Sequence, residues 1–164
     1  MTLLLSTLST PIGNLNLIAD EHILLAANFS NLKALKESLS QEDSEKTIKS
    51  VSRIPIITDL IGDYFDGNLA ALNAISVRQP GAHFSQEAWK AMKKVKAGKV
   101  ISYGELAERA GSPAAVRAAG SACAKNAIVL IVPCHRIVKT GGALGNYAYG
   151  LDKKAWLLRH EGAL

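Results

Sequence analysis

The sequence lacks the features that mark exported, membrane-spanning and zinc-binding proteins. It has 2 cysteines in 164 residues, and neither zinc-ligand spacing nor a second cysteine cluster occurs. The longest apolar run, residues 127–132, is far shorter than the roughly 20 residues of a membrane span. The leucines at 3–5 follow no basic segment of the kind that begins a secretory signal. We therefore expect no membrane segment and no metal. Cys123 and Cys134 are expected to be free thiols in a reducing compartment, either the cytoplasm or, in a eukaryote, the nucleus.

Charge is distributed unevenly along a chain that is long enough for one globular unit or two small packed subdomains. Residues 1–83 contain 6 Lys/Arg and 9 Asp/Glu, whereas residues 84–164 contain 13 and 5. A basic half beside a mildly acidic one is expected of a protein that contacts nucleic acid on one side, although solvated surface charge gives the same pattern. The sign changes at Gln79-Pro80-Gly81, which predicts two domains, residues 1–79 and 80–164.

The first half reads as α+β and contains no recognisable chemistry. Alternating residues 14–17 and the apolar run 23–27 flank a polar turn and predict a β-hairpin. Leucines at 32, 35 and 39 predict a helix, and residues 41–46 a polar loop. An apolar stripe that starts after Pro55 and stops at Gly67 predicts a further helix, and residues 72–77 a strand.

The second half reads as mainly helical. Ser85 is expected to cap one helix. Ser102 and Glu105 form a capping box at the start of another helix, which Gly111 ends. Ser112 is expected to cap a third helix over residues 114–124. Two short helices around a tight turn predict a helix-turn-helix.

The helix predicted over residues 114–124 contains small side chains and one long one, Arg117. Small residues let a helix approach another surface closely, either inside the protein or outside it. A guanidinium is costly to bury alone, so Arg117 must find a carboxylate or point at an external anion or base.

Cys134 is a candidate nucleophile. The β-branched run at 127–132 predicts a strand that delivers this thiol beside His135 and Arg136, where positive charge or a base would favour the thiolate. An inert, buried cysteine is the alternative reading. Consecutive side chains of an extended segment point to opposite faces, so Cys134 and His135 form no direct dyad unless the chain turns between them.

Four sequence blocks together resemble the O6-alkylguanine-DNA alkyltransferases, or methylated-DNA:protein-cysteine methyltransferases. The blocks are Val-Ile-Ser-Tyr-Gly-Glu-Leu-Ala at 100–107, Pro-Cys-His-Arg-Ile-Val at 133–138, Gly-Asn-Tyr at 145–147 and His-Glu-Gly at 160–162. Residues 10–13 and 64–67 resemble the family more loosely. The implied fold is α+β, with a small RNase H-like N-terminal α/β subdomain before a mainly helical C-terminal subdomain that contains the helix-turn-helix.

The resemblance implies direct-reversal DNA repair, in which Cys134 takes the alkyl group of O6-alkylguanine, or of O4-alkylthymine, once and without a cofactor. His135, Glu161 and a water would deprotonate the thiol, and Asn126 would brace the turn around it. Glu161 also ends a helix, where the macrodipole disfavours a carboxylate, so a specific partner is expected for it. Tyr103 would push on the 3′ phosphate and donate to guanine N3.

The resemblance also implies how DNA is held. Arg117 would fill the space left by a flipped base in double-stranded DNA bound through the minor groove. The other implied DNA contacts are Tyr103, Gly104, Ser112, Thr140 and Ser85. The base pocket would use the carbonyls of Cys134 and Ile137, the amide of Ala148, the ring of Tyr147, and also Gly145 and Asn146.

Departures from the family pattern leave some points open. Ala148 stands where some members have Ser, but the implied contact is made by the backbone. Ala127 and Val129 stand where certain members have Pro, which leaves the range of bulky alkyl groups undecided. A monomer is expected. The alternatives are a Cys-His hydrolase, which would turn over and ignore DNA, and a non-catalytic alkyltransferase-like damage-binding protein or helix-turn-helix regulator, which needs no thiol.

Overall fold

A computed structural model describes residues 2–164 and divides the chain into two units. The first contains residues 2–80 together with 127–131, and the second contains residues 81–126 and 132–164. The predicted division at residues 79/80 differs in two places, because Pro80 and residues 127–131 belong to the first unit and not to the second. The mixed α+β fold class is confirmed.

A five-stranded sheet forms the centre of the first unit. Its strands are β1 Thr2–Thr10, β2 Gly13–Asp20, β3 Ile23–Asn28, β4 Thr47–Ser50 and β5 Ser76–Val77. Their order across the sheet is β4-β1-β2-β3-β5. Strand β2 pairs antiparallel with β1 and with β3. The outer strand β4 pairs parallel with β1, and the other outer strand, β5, pairs parallel with β3. The predicted hairpin corresponds to β2 and β3, whereas β1 was not predicted.

The helices of the first unit are α1 Leu32–Glu37, α2 Gln41–Ser44, α3 Ile57–Phe65 and a 3-10 turn at Ala71–Ala74. The expectation of a polar loop at 41–46 is wrong for its first four residues. Ser40 Oγ accepts a hydrogen bond from Asp43 N at 3.1 Å, which caps α2. The strand expected over 72–77 is reduced to β5, because the 3-10 turn occupies residues 71–74.

Residues 127–131 lie along β3 without forming the predicted strand. Ala27 N donates to Ala127 O at 2.9 Å and Val129 N donates to Ala27 O at 3.1 Å, which gives one isolated parallel bridge. Leu130 then adopts a φ of 76°, and Ile131 N donates to Val129 O at 2.9 Å. This left-handed turn ends the extended backbone, so the segment approaches Cys134 as a turn and not as a strand.

The second unit contains four helices and a short two-stranded ladder. The elements are α4 His83–Lys93, β6 Ile101–Ser102, α5 Tyr103–Arg109, α6 Val116–Ala124, a 3-10 turn at Cys134–Arg136, β7 Ile137–Val138 and α7 Leu151–His160. Trp89 Nε1 donates to Ala122 O at 2.9 Å and so joins α4 to α6. The alanines at 119 and 122 are buried, which explains part of the small-residue composition of α6.

Helices α5 and α6 form the predicted helix-turn-helix, with two corrections to the expected caps. Ser102 Oγ accepts from Glu105 N at 3.0 Å as predicted. Ser112 instead lies in a turn, where its carbonyl accepts from Ala115 N at 2.9 Å, and no side chain caps α6. Helix α4 begins at His83, so Ser85 lies inside its first turn and does not cap it. Within residues 2–164, no helix has the length and apolar character needed to cross a membrane.

Candidate active site

Cys134 begins the tight turn between residues 132 and 137. The 3-10 conformation over Cys134–Arg136 turns the chain between the thiol and His135, so the opposed orientation of an extended segment does not apply. Asn126, just after α6, donates through Nδ2 to Val132 O at 2.8 Å and to Cys134 Sγ at 3.4 Å. The structure therefore brings Asn126 to the turn that the sequence predicts it to brace.

Cys134 is buried, with 8% of the residue exposed. Burial raises its pKa, while the hydrogen bond from Asn126 and the charge of Lys154 oppose that rise. Because the pKa remains above its ordinary value, little thiolate forms at neutral pH without a base.

His135 is fully buried beside that turn. Its Nε2 lies 2.8 Å from Glu161 Oε2. Because an ionised carboxylate can only accept, Nε2 carries the proton, and Nδ1 is left as an acceptor. Nδ1 has no hydrogen-bond partner among the described residues. Burial lowers the pKa of His135, although Glu161 opposes the shift, so the imidazole is neutral near pH 7 and can take a proton.

Glu161 is held by two basic side chains. Burial alone would raise its pKa, but hydrogen bonds from His135 and Arg136 bring it well below the ordinary value. Arg136 Nε and Nη2 donate to the two carboxylate oxygens, each at 2.9 Å, and Nη1 donates to Val95 O at 2.7 Å. This bidentate pair keeps the Glu161 carboxylate ionised and orients it toward His135.

A pocket of about 580 Å³ opens beside the thiol in the second unit. Six residues predicted from the sequence line it: Tyr103, Arg117, Cys134, Asn146, Tyr147 and Ala148. Gly120 and Cys123 of α6 line it as well, although the sequence analysis assigned neither of them to the pocket. Burial raises the pKa of both thiols, that of Cys123 to about 12, so Cys134 is the better candidate for the nucleophile because it adjoins His135 in the turn and accepts a hydrogen bond from Asn126.

Comparisons with known proteins find close relatives across the chain. A family model described as the DNA binding domain of 6-O-methylguanine DNA methyltransferase matches residues 83–163. The methylated-DNA–protein-cysteine methyltransferase of Salmonella typhimurium is 36% identical over 170 aligned residues, which cover 100% of this chain and 98% of that protein. The chain belongs to this methyltransferase family.

Solved structures agree with this assignment. The O6-methylguanine methyltransferase of Mycobacterium tuberculosis is 30% identical, with a TM-score of 0.78 over 98% of this chain and 93% of that one. A Mycobacterium tuberculosis protein, OGT, solved in complex with DNA, is 28% identical with a TM-score of 0.75 and the same coverage. The family resemblance is confirmed, and the second half of the chain contains a DNA-binding domain.

Several predicted site residues lie outside the pocket lining. Ile137 is buried in β7. Gly145 lies against Tyr103, since a Cβ at Gly145 would approach the tyrosine ring to 3.0 Å, and its φ of 77° also favours glycine. The DNA contacts expected of four further residues stay predictions: Gly104 in the first turn of α5, Ser112 in the turn before α6, Ser85 in α4, and Thr140, exposed after β7.

The sequence reasoning missed the buried Lys154, and it placed Arg136 in a basic cluster beside the thiol without predicting its pair with Glu161. Lys154 is fully buried, and its Nζ donates to Ile137 O and Asn146 O. A signal existed for it, because Lys154 and Leu158 in α7 and Glu161 directly after it recur at helical spacing, and all three are buried. For the described residues, no group of three metal-ligating side chains is found.

Proposed function

We propose that this protein repairs alkylated double-stranded DNA by moving one alkyl group from O6 of guanine, or O4 of thymine, to Cys134. The observation that carries the proposal is a thiol in the wall of an open pocket, beside a buried imidazole whose Nδ1 is ready to accept a proton. The names of the relatives across the full length of the chain support the same reaction.

The thiol is activated by a relay that ends at Glu161. A water between Cys134 and His135 Nδ1 passes the thiol proton to the imidazole. The Glu161 carboxylate, 2.8 Å from Nε2, stabilises the imidazolium that forms. Arg136 holds the carboxylate in place, so the relay does not depend on the ordering of a surface side chain.

Alkyl transfer is an in-line displacement at the alkyl carbon. The thiolate forms the new S–C bond as the O6–C bond breaks, and the bonding electron pair leaves with guanine. A hydrogen bond from Tyr103 offsets the charge that develops on the base. The product is a thioether without an electrophilic carbonyl, so water does not regenerate the thiol and each molecule acts once.

DNA binding through the minor groove and base flipping give the target access to the pocket. Chemistry on a base requires that the base leave the stack. Arg117 and Ser121 are exposed on α6, where Arg117 would occupy the vacated space while the small neighbours allow a close approach. The protein acts in this reaction as a monomer.

Intact-mass measurement after incubation with an O6-methylguanine duplex tests the proposal. We expect one added methyl group on the wild type and none on Cys134→Ala, which should retain DNA affinity because phosphate contacts dominate binding. Trypsin cleaves after Lys125 and Arg136, so peptide mapping separates Cys123 from Cys134.

Three outcomes would contradict the proposal. A methyl group on Cys123 would move the acceptor to the other thiol. Repeated turnover without a stable adduct would indicate a hydrolase. DNA binding with no change in mass would indicate a damage-binding protein or a regulator.

A further inference from the structure

Gln79 is a buried polar side chain at the point where the sequence predicts the domain boundary. Only 6% of the residue is exposed, and its Oε1 accepts a hydrogen bond from Ala127 N at 2.8 Å. Burial of a polar side chain is favourable only when its polar atoms find partners. The proposed relay gives this contact no role.

The backbone of Gln79 is itself anchored on the central sheet. Arg78 N donates to Leu24 O at 3.1 Å, which ties the residue after β5 to β3. Pro80 directly follows Gln79, and a proline restricts the backbone of the residue before it. The Gln79 amide therefore meets Ala127 from a fixed point of the fold and not from a flexible linker.

Ala127 directly follows Asn126, whose side chain contacts the Cys134 thiol. Asn126 Nδ2 donates to Val132 O at 2.8 Å and to Cys134 Sγ at 3.4 Å. Hydrogen bonds weaken steeply when their geometry changes, so both contacts depend on the position of the backbone at residue 126. The hydrogen bond to Sγ also opposes the rise that burial causes in the pKa of Cys134.

Different elements hold the backbone on the two sides of Asn126. On the N-terminal side, Asn126 N donates to Cys123 O at 3.3 Å, at the end of α6. On the C-terminal side, Ala127 O accepts from Ala27 N of β3 at 2.9 Å, and Ala127 N donates to Gln79. Gln79 therefore fixes the peptide group that joins Asn126 to Ala127.

We propose that Gln79 is a positioning residue for alkyl transfer, which fixes the peptide group after Asn126 and so keeps the Asn126 amide on the Cys134 thiol. The inference rests on the proposed function for its meaning in repair. The series of contacts from Gln79 to Cys134 can be tested without DNA. It gives a part in the reaction to the first half of the chain, in which the sequence shows no recognisable chemistry.

The test is the pH profile of Cys134 alkylation by iodoacetamide, followed by peptide mapping. Gln79→Leu keeps a side chain of similar size but removes the acceptor of Ala127 N. We expect the midpoint of the profile to rise by roughly half a pH unit, because complete loss of a hydrogen bond to a charged group corresponds to about one unit or more. Thr58→Val is the matched control. It removes the acceptor of a buried backbone donor, Ile54 N at 2.9 Å, from the same unit and should leave the midpoint unchanged.

A first double-mutant cycle shows whether Gln79 acts through Asn126. Asn126→Leu removes the donor to the thiol and should raise the midpoint further than Gln79→Leu does. Adding Gln79→Leu to Asn126→Leu should then produce no additional rise, since the contact that Gln79 positions is already absent. Additive rises would overturn the proposal, because Gln79 would then affect the thiol by another route.

A second cycle removes the donor of the Gln79 contact instead of its acceptor. Proline has no N–H, so in the Ala127→Pro background Gln79→Leu has no hydrogen bond to break. Gln79→Leu should change the midpoint much less in this background than in the wild type, and an equal rise in both would overturn the proposal. If Gln79→Leu does not fold, Gln79→Asn replaces it, because Asn keeps a polar amide but draws it back from Ala127 N by one methylene.

The titratable and charged groups around Cys134 are the same in all these variants. Tyr103 of α5, Cys123 of α6, Tyr149 between β7 and α7, and Lys154 of α7 interact electrostatically with the thiol, and His135, Arg136 and Glu161 form the adjoining relay. A shifted midpoint in Gln79→Leu therefore reports a change of position and not of charge. A folded Gln79→Leu with the wild-type midpoint would overturn the proposal, and so would an equal rise in Thr58→Val.

Repair assays separate this inference from the proposed function. If the wild type takes no methyl group from O6-methylguanine DNA, the proposed function fails, while the iodoacetamide profiles still decide on Gln79. If repair occurs, Gln79→Leu should slow single-turnover methyl transfer about threefold at pH 7, as half a pH unit less thiolate implies. Its DNA affinity should be unchanged, because phosphate contacts dominate binding.

Discussion

Glu161 has two roles that a single substitution cannot separate. It accepts from His135 in the proposed relay, and it also neutralises Arg136, which is 4% exposed. Glu161→Gln removes the carboxylate from the relay and also leaves a guanidinium buried without a counter-charge. The loss of one partner of a buried pair costs about 3–5 kcal/mol of unfolding free energy.

We therefore predict the behaviour of Glu161→Gln alone and combined with Arg136→Met. The single variant should be strongly destabilised in urea unfolding, and the double variant should recover most of the loss because neither charge remains. Both should transfer methyl groups slowly at pH 7 and recover partly toward pH 9, since hydroxide begins to replace the base. Single-turnover rates from pH 6 to 9 measure this. A double variant with the wild-type profile would exclude Glu161 from the relay.

Arg117 is exposed on α6 and lines the pocket, so its proposed role can be tested without loss of a buried contact. Arg117→Ala should slow repair of a methylated duplex by one or two orders of magnitude, because flipping costs a few kcal/mol. Reaction with free O6-methylguanine base should change little. Arg109→Ala, which removes an exposed arginine from α5, is the matched control. Equal losses on duplex and free base would exclude the proposed role.

At the scale of elements, helix α6 contains a glycine that the folded chain does not require. A Cβ at Gly120 would meet nothing within 4 Å, and this residue lines the pocket. Glycine within a helix costs roughly 0.5–1 kcal/mol relative to alanine. A close approach of DNA to this face would explain why residue 120 is glycine despite the lower stability of the helix.

Gly120→Ala should therefore raise the unfolding free energy by about 0.5–1 kcal/mol and weaken binding to duplex DNA. Thermal unfolding and a fluorescence-anisotropy titration measure the two effects. Ala118→Gly, at an exposed position of α6, is the reverse control and should lower stability. Unchanged DNA affinity in Gly120→Ala would show that DNA does not approach this part of the helix.

Local signals predicted those elements whose ends are set by nearby residues. The capping box at Ser102 and Glu105 fixed the start of α5, and Gly67, with a φ of 113°, follows the end of α3. The strand expected at 127–132 failed because Leu130 adopts a left-handed conformation, which favours glycine and which no local pattern indicates in leucine.

The residues of the site also fall into those that the sequence predicted and those that it did not. The family resemblance implied roles for the six pocket residues and for the His135–Glu161 pair that the structure brings together. The burial of Arg136 and Lys154 depends on carbonyls of Val95, Ile137 and Asn146 that are distant in the chain. Composition treats basic residues as surface residues. Helical spacing can place Lys154 on a buried face, but it does not identify the distant carbonyls that Lys154 contacts.

For the whole molecule, three buried groups favour the folded state as pH rises. Burial lowers the pKa of His135. Burial would raise the pKa of Asp43 and of Glu161, but their basic partners lower both below the ordinary values. In each case the folded pKa lies below the unfolded one, so the unfolded chain binds more protons in acid. The stability contributed by His135 should be present above about pH 6.5 and that of the carboxyls above about pH 4.5, and each is lost as pH falls.

The part of this loss that belongs to His135 can be isolated. Both tryptophans, Trp89 and Trp156, lie in the second unit with His135, so their fluorescence reports the unfolding of that unit in urea. The unfolding free energy of the wild type should fall between pH 7 and pH 5.5, above the range in which the carboxyls titrate. His135→Asn should show a smaller fall, because it has no imidazole to protonate on unfolding. His22→Asn, at an exposed position of the first unit, should follow the wild type.

The opposite result would be an equal loss of unfolding free energy in His135→Asn and the wild type between pH 7 and pH 5.5. The His135 imidazole would then take up its proton equally in the folded and unfolded states. The fold would not hold the imidazole neutral, although the proposed relay requires it.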